Sequence, residues 1–418
     1  MAAVNVEVEP DPQPRPRRGA PRRRHVSRSP RDLDSARKAP RPPVDELRSG
    51  VLSVADAELE VLVEGSQTSV RLRHGRIGLF GGRASTTLVG EQATLETILR
   101  GSQSGIEAFL EGRVKVRGNI ALALQLEGLF ATKARPARFP RANTVRAAGV
   151  DTFFLEAGEG PAVIVLHGLG ATNASMLPTV WNLARDHRVL APDLPGFGES
   201  AKPVRTYDAA FFARWLEAFM DATGVRRAHI VGNSMGGRVA LEAGLRIPHR
   251  VDRLALLAPG VAFIKGRQYV PLVRLLRPEM ALVPVLLNHW EIVQAARSLF
   301  AHPERLPQAW YDAFADEFLR VWVSPRARIA FFSAARQIYL DTPSGDSGFY
   351  RRLAQLKRPA LFVWGDRDWL IPARFDRYVR EALPAARSVV LEDCGHVPQY
   401  ELPQATNRLV RRFLDNPR

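Results

Sequence analysis

The chain has 418 residues, 46% hydrophobic content and a formal net charge of +16. That length points to two domains plus tails, and that apolar fraction suffices for globular cores. A single cysteine excludes an intramolecular disulfide and fits a reducing, cytoplasmic compartment, while the lack of zinc-ligand spacing and of a Gly-Lys-Ser/Thr loop leaves no metal or nucleotide cofactor expected.

Residues 1–50 are rich in arginine and proline, including Arg22-Arg23-Arg24 and Arg41-Pro42-Pro43, and show no apolar periodicity. They read as a disordered tail. The charge surplus is not confined to the tail, so the folded remainder is basic as well. Arginine is attracted to anionic lipid and to nucleic acid. Nucleic acid is not expected, because no nucleic-acid-binding module follows. Peripheral contact with an anionic membrane is retained, beside the plainer reading of a solvated tail. No uninterrupted apolar segment follows Arg24, so no export signal is expected. The stretch 270–287 is broken by Arg274, Arg277, Pro278, Glu279 and Pro284, and will not span a bilayer.

Residues 56–131 form the first module. Leu59, Val61 and Val63 alternate with Glu60, Leu62 and Glu64. Val70-Arg71-Leu72-Arg73 and Ile77-Gly78-Leu79 flank a turn at His74-Gly75-Arg76, and Thr86-Thr87-Leu88-Val89 is a further strand. Together these predict a small antiparallel sheet. Helices are expected over 92–99 and 105–110, each stopped by a glycine, Gly101 and Gly112. Val114-Lys115-Val116 reads as a strand and 120–129 as an apolar-rich helix. The string Ala108-Phe109-Leu110-Glu111-Gly112-Arg113-Val114-Lys115-Val116-Arg117-Gly118-Asn119 resembles the sterol-carrier-protein-2-like domain. The resemblance implies an α+β fold with an apolar tunnel for acyl chains, sterols and related lipids. It assigns no single binding residue, and a packing or dimerisation module is the alternative.

Residues 132–144 read as a basic linker. From 145 to 418, apolar strands alternate with helices, which predicts an α/β fold with a mainly parallel sheet covered on both faces. Thr152-Phe153-Phe154-Leu155 is an early strand. Ala162-Val163-Ile164-Val165-Leu166 leads into His167-Gly168-Leu169-Gly170. Ala228-His229-Ile230-Val231 leads into Gly232-Asn233-Ser234-Met235-Gly236-Gly237. The alternation then stops over 260–355, a helical insertion carrying Trp290, Trp310 and Trp322. Pro359-Ala360-Leu361-Phe362-Val363-Trp364 ends in a turn with Asp366 and Asp368. Ser388-Val389-Val390-Leu391 ends in Asp393-Cys394-Gly395-His396-Val397-Pro398.

A serine hydroxyl is a poor nucleophile until a histidine takes its proton and a carboxylate orients that histidine. In G-x-S-x-G the serine sits on a sharp strand-to-helix turn, where a Cβ on either glycine would collide with the neighbouring strand and helix. The turn after residue 166 and the amide of Met235 are placed to supply an oxyanion hole. With His167-Gly168, the Asp193-Leu194-Pro195-Gly196-Phe197-Gly198-Glu199-Ser200 string, the Ser234 turn, the 365–372 turn and Gly395-His396-Val397-Pro398, residues 145–418 resemble the α/β-hydrolase superfamily.

That resemblance implies Ser234 as nucleophile, His396 as base then acid, and Asp368 as orienting carboxylate. Asp366 is the alternative, and Asp368 is preferred because in similar relatives the acid lies four residues before the proline. Leu169 and Met235 become the oxyanion-hole donors, His167 a loop-holding residue, Cys394 a buried bystander, and 260–355 a lid. The implied reaction is hydrolysis of a carboxylic ester, such as a lipid ester or thioester, through an acyl-enzyme. Carbon–carbon hydrolysis of a ring-opened diketone is an alternative, though such relatives usually carry tryptophan where Val397 stands. A cofactor-free perhydrolase or haloperoxidase is another. A non-catalytic lipid-binding scaffold is the alternative from a different class.

Overall fold

The computed structural model describes residues 58–63, 69–73, 76–78, 86–123, 127, 137–262 and 287–415. The expected tail, residues 132–136 of the linker and the 263–286 part of the insertion lie outside the described residues. All described residues belong to one compact unit.

The first module is a five-stranded sheet in the order β3-β2-β1-β4-β5. Its strands are β1 (Glu58–Val63), β2 (Ser69–Arg73), β3 (Arg76–Gly78), β4 (Thr86–Gly90) and β5 (Val114–Arg117). β1 and β2 run antiparallel, but β1 and β4 run parallel, with Leu59 opposite Thr86 and Val61 opposite Leu88. The sheet is therefore mixed, which corrects the antiparallel expectation. Alternation identifies a strand and its faces; it does not say on which side of β1, or in which direction, a later strand docks. Helices α1 (Gln92–Leu99) and α2 (Gly105–Leu110) follow the glycine stops, with Gly101 and Gly112 at φ of 70° and 73°. Ser104 caps α2 by accepting hydrogen bonds from the Ile106 and Glu107 amides. Of the helix expected over 120–129, the described residues show helix α3 (Ile120–Ala123) and a turn at Glu127. Leu95, Ile98, Ile106, Phe109, Val114 and Ile120 are its buried core.

The second sheet has eight strands in the order β13-β12-β11-β10-β8-β9-β7-β6. These are β6 (Arg141–Ala147), β7 (Val150–Ala157), β8 (Ala162–Leu166), β9 (Arg188–Pro192), β10 (Ala228–Asn233), β11 (Val251–Leu257), β12 (Ala360–Gly365) and β13 (Arg387–Leu391). The six strands from β9 to β13 across the order are parallel, and β6 and β7 form an antiparallel hairpin at one edge. β6 starts at Arg141, inside the segment read as linker. Its largely exposed residues carry no apolar pattern, so only pairing with β7 reveals it.

Alternate residues of the parallel strands feed two cores. Val163, Val165, Leu257 and Val363 face α4 (Leu177–Leu183) and α13 (Pro403–Asp415). Ile164, Leu166, Leu256 and Trp364 face α5 (Ala209–Ala222) and α6 (Met235–Arg246). Strands buried on both faces need continuous apolar runs, which is how they read in the sequence.

The described insertion is helical, with α7 (His289–Arg297), α8 (Gln308–Trp322), α9 (Pro325–Tyr339) and α10 (Phe349–Leu353). Trp310 is buried against Phe300, Tyr311 and Tyr400, whereas Trp290 is 68% exposed and packs no core. The remaining helices are α11 (Asp376–Ala382) and α12 (Pro398–Glu401). The module core and the insertion share one hydrophobic cluster. A Cβ at Gly112 would lie 2.9 Å from Pro307 Cγ, so module and insertion meet closely there. The Trp181 indole N–H donates to Glu107 Oε1 at 2.8 Å, a second tie between module and hydrolase-like body.

Candidate active site

Ser234 stands between the end of β10 and the start of α6, with φ of 53° and ψ of −115°. A residue with a side chain holds such a backbone only when its surroundings over-determine it. Here they do. Its amide donates to Leu257 O at 3.0 Å, and its carbonyl accepts from the Gly260 amide at 2.8 Å. A Cβ on Gly232 would run into the Gly236 carbonyl, and one on Gly236 into the Leu166 carbonyl. Gly236→Ala should therefore cost at least about 3 kcal/mol, because the Cβ would meet the backbone of Leu166 and His167, which cannot yield as a side chain can. Urea unfolding of the variant checks this. The Met235 amide opens α6 and has no partner within the helix.

Asp368 and His396 meet from the ends of two neighbouring strands. After β12, the Asp368 Oδ1 accepts the amides of Leu370 and Ile371 at 2.9 and 2.8 Å. Its Oδ2 lies 2.7 Å from His396 Nδ1. Both residues are buried. A carboxylate at Nδ1 holds the proton there and leaves Nε2 to accept. Asp366 does not take part in this contact. Its Oδ1 accepts the Cys394 amide at 3.1 Å and so shapes the loop that presents the histidine. Ser234, His396, Leu169 and Met235 all line one cavity of about 280 Å³. The arrangement brings together a hydroxyl, a carboxylate-paired imidazole and backbone at a helix N-terminus.

Two supporting residues escaped the sequence reading. Glu401 is buried, and its two oxygens accept the Gly395 and His302 amides, each at 2.6 Å. Asn233 donates to Leu257 O at 3.0 Å and to His396 O at 3.2 Å, joining the serine turn to the histidine loop. The His396 amide in turn donates to Leu299 O, at the end of the α7 segment, at 2.7 Å. In the sequence, Glu401 looks like any carboxylate on a short helix, and nothing local marks it. Glu401→Ala leaves two amides unsatisfied, so it should lose about 2–5 kcal/mol of stability, measured by denaturant titration.

Three buried titratable groups surround the site. His167 Nδ1 donates to Gly168 O at 2.8 Å, and Nε2 accepts the Leu194 amide at 2.9 Å. Burial pushes its pKa down to about 4, so it is a neutral staple for the 168–170 turn. Burial, with nearby carboxylates, raises the Cys394 thiol far above the usual range, which rules against a thiolate nucleophile. Glu317 on α8 accepts from the Thr172 hydroxyl at 2.8 Å, and burial pushes its pKa up to about 8. Arg320 lies 3.9 Å from it, too far to offset that burial.

A carboxyl whose folded pKa exceeds its unfolded value of 4.5 holds extra proton in the folded state. Stability therefore falls as pH rises through that interval, from about 4.5 to about 8. Glu317→Gln keeps an acceptor for Thr172 and should flatten this slope, as unfolding measured across the same pH range would show.

A family model described as the alpha/beta hydrolase fold matches residues 161–403, and one described as the SCP-2 sterol transfer family matches residues 47–131. A 2-hydroxy-6-oxo-6-phenylhexa-2,4-dienoate hydrolase of Burkholderia cepacia is 30% identical, over 65% of this chain and 95% of its own. A 2-hydroxymuconate semialdehyde hydrolase of Pseudomonas putida is 31% identical, over 65% of this chain and 92% of its own. Among solved structures, a bacterial membrane phospholipase A aligns with a TM-score of 0.56 at 28% identity, covering 66% of this chain and 86% of that one. With the sheet order, the serine turn and these matches in place, the chain belongs to the alpha/beta hydrolase fold family and carries a domain of the SCP-2 sterol transfer family before it.

Proposed function

We propose that this protein is a serine hydrolase that cleaves an uncharged carboxylic ester, of a lipid ester or thioester kind, through an acyl-enzyme. The observation that carries the reading is the chemistry of the cavity. Ser234 and the Asp368-paired His396 open onto walls of Leu169, Leu299, Phe300, Trp310, Ile338 and their neighbours. Among the described residues, no arginine, lysine, aspartate or glutamate lines it. Such walls favour a neutral, apolar substrate.

The chemistry follows from the positions. Ser234 Oγ attacks the ester carbonyl carbon and gives its proton to His396 Nε2. The carbonyl oxygen becomes an oxyanion, stabilised by the Leu169 and Met235 amides. Collapse breaks the bond to the alcohol or thiol, which leaves with the proton from His396. Water then attacks the acyl-serine and gives a proton to His396; collapse breaks the bond to Ser234 Oγ, which takes that proton back from His396, and the acid is released. Asp368 holds the imidazole in the tautomer that both halves need. The insertion over the cavity excludes bulk water.

Carbon–carbon hydrolysis is the second reading, and the two relatives above favour it by name. A dienoate would bring a carboxylate, and the described lining offers it no cation. Two assays on purified full-length chain test the proposal. A fluorophosphonate probe should label Ser234, and lack of labelling would return the protein to a lipid-binding scaffold. Then kcat/KM for p-nitrophenyl butyrate should exceed that for a phenylhexadienoate ring-cleavage product by about tenfold or more, since an unpaired buried charge costs more than 1.4 kcal/mol. The opposite order would make the carbon–carbon reading the better one.

A further inference from the structure

The geometry points to the apolar slot between the N-terminal module, helix α8 and the 170–175 loop as an alkyl-chain subsite of the Ser234 cavity, so that the module completes the substrate site. This rests on the ester reading above and adds the part of the substrate remote from the reacting carbonyl.

The slot and the main cavity lie side by side and share walls. Ala171, Ser175, Trp310, Phe314 and Phe331 line both. Along α8, Trp310, Phe314, Phe318 and Trp322 recur every four residues and so share one helix face. Trp310 stacks near Phe314 at 5.8 Å between centroids, and Phe318 near Trp322 at 5.3 Å. The first two touch both spaces, whereas Phe318 and Trp322 line the slot alone. The stripe thus leads away from Ser234 for roughly 18 Å, at 1.5 Å per residue.

The module supplies Ile120, the first residue of α3, to the wall of the slot. Its burial and the Gly112–Pro307 approach hold the module against α8. The slot is narrow, about 30 Å³ against about 280 Å³ for the main cavity. Its small size and apolar lining favour a slender alkyl tail over a fused ring system. Glu317 is the carboxyl on the slot among the described residues. It is buried, bound to Thr172 and uncharged at neutral pH, so it leaves the wall without a charge for a hydrocarbon to meet.

The test uses the full-length protein and two ligand series. With p-nitrophenyl esters, wild-type kcat/KM should rise about tenfold or more from butyrate to decanoate, because each buried methylene strengthens binding by several-fold. Ile120→Trp fills the slot from the module side and Ala327→Leu from the insertion side. Each should lower the decanoate-to-butyrate ratio by about fivefold or more. If either variant fails to fold, the other carries the same readout.

Calorimetry with 1-decanol and 1-butanol separates this proposal from the ester reading. Tight decanol binding that both fillers weaken supports the subsite even where no ester is cleaved. Ester cleavage with a flat chain-length profile overturns the subsite and leaves the ester reading standing. Wild-type protein that binds decanol no better than butanol also overturns it, whatever the variants do. If the aromatic stripe only packs the lid, folded fillers will leave the chain-length ratio as it was.

Discussion

Ser234→Ala is expected to lower kcat on the order of 10³-fold or more, with little change in melting temperature. The reason lies in how the residues act together. His396 and Asp368 remain paired in the variant, but no hydroxyl is present for the imidazole to activate. On the proposed reading, the amides at Leu169 and Met235 still stabilise an oxyanion formed by water attack, which sets the residual rate. The fold should survive, because Ser234 is held through its backbone, by the bonds to Leu257 and Gly260. Alanine occupies the same strained backbone at similar cost. Turnover of a soluble ester and a thermal melt, made on the same preparation, test both halves. Wild-type turnover in this variant would remove Ser234 from the reaction.

The second large effect separates two aspartates that lie two residues apart. Asp368→Asn should reduce kcat at neutral pH by about 10³-fold or more, and Asp366→Asn by less than about tenfold. In the first variant, the Leu370 and Ile371 amides still demand an acceptor, so they fix the amide oxygen on their side. The new NH₂ group then faces His396 Nδ1. That turns Nδ1 into an acceptor and puts the ring proton on Nε2, where the nucleophile's proton must go. In the second variant, an asparagine oxygen can still receive the Cys394 amide, and the histidine is untouched. Rates for the two variants on one ester decide the matter. Greater damage from Asp366→Asn would exchange their roles.

The supporting shell explains why neither effect is confined to three side chains. Glu401 and Asn233 hold the histidine loop from two directions, and Leu299 brings the insertion into the same loop. A substitution on the α7 segment therefore has a physical route to His396. The route is a hydrogen bond to its backbone, so it needs no long-range conformational change.

Much of the fold was legible in the chain because its signals are local. Strands β8, β10 and β12 are buried on both faces, and burial on both faces demands an unbroken apolar run. The glycines around Ser234 were legible for the same kind of reason, since a tight strand-to-helix turn admits no Cβ at either place. The order of serine, aspartate and histidine at the ends of β10, β12 and β13 could likewise be read along the chain. Strand β6 could not, because an exposed edge strand has no pattern of its own and exists through its pairing with β7. Nor could the parallel pairing of β1 with β4, which is a choice of docking side.

At the site, the same division holds. By itself the sequence determined which residue types stand at the strand ends and how sharply the chain must turn there, because turn sterics and burial patterns act within a few residues. Which carboxylate meets His396, which one braces its loop, and which module residue reaches the wall of the slot were decided only by the tertiary structure. Those contacts join residues separated by 28 positions for Asp368 and His396, and by far more for Ile120 and the α8 stripe. A hydrogen bond or a packed ring depends on distances of a few ångströms, and only the folded chain sets those distances.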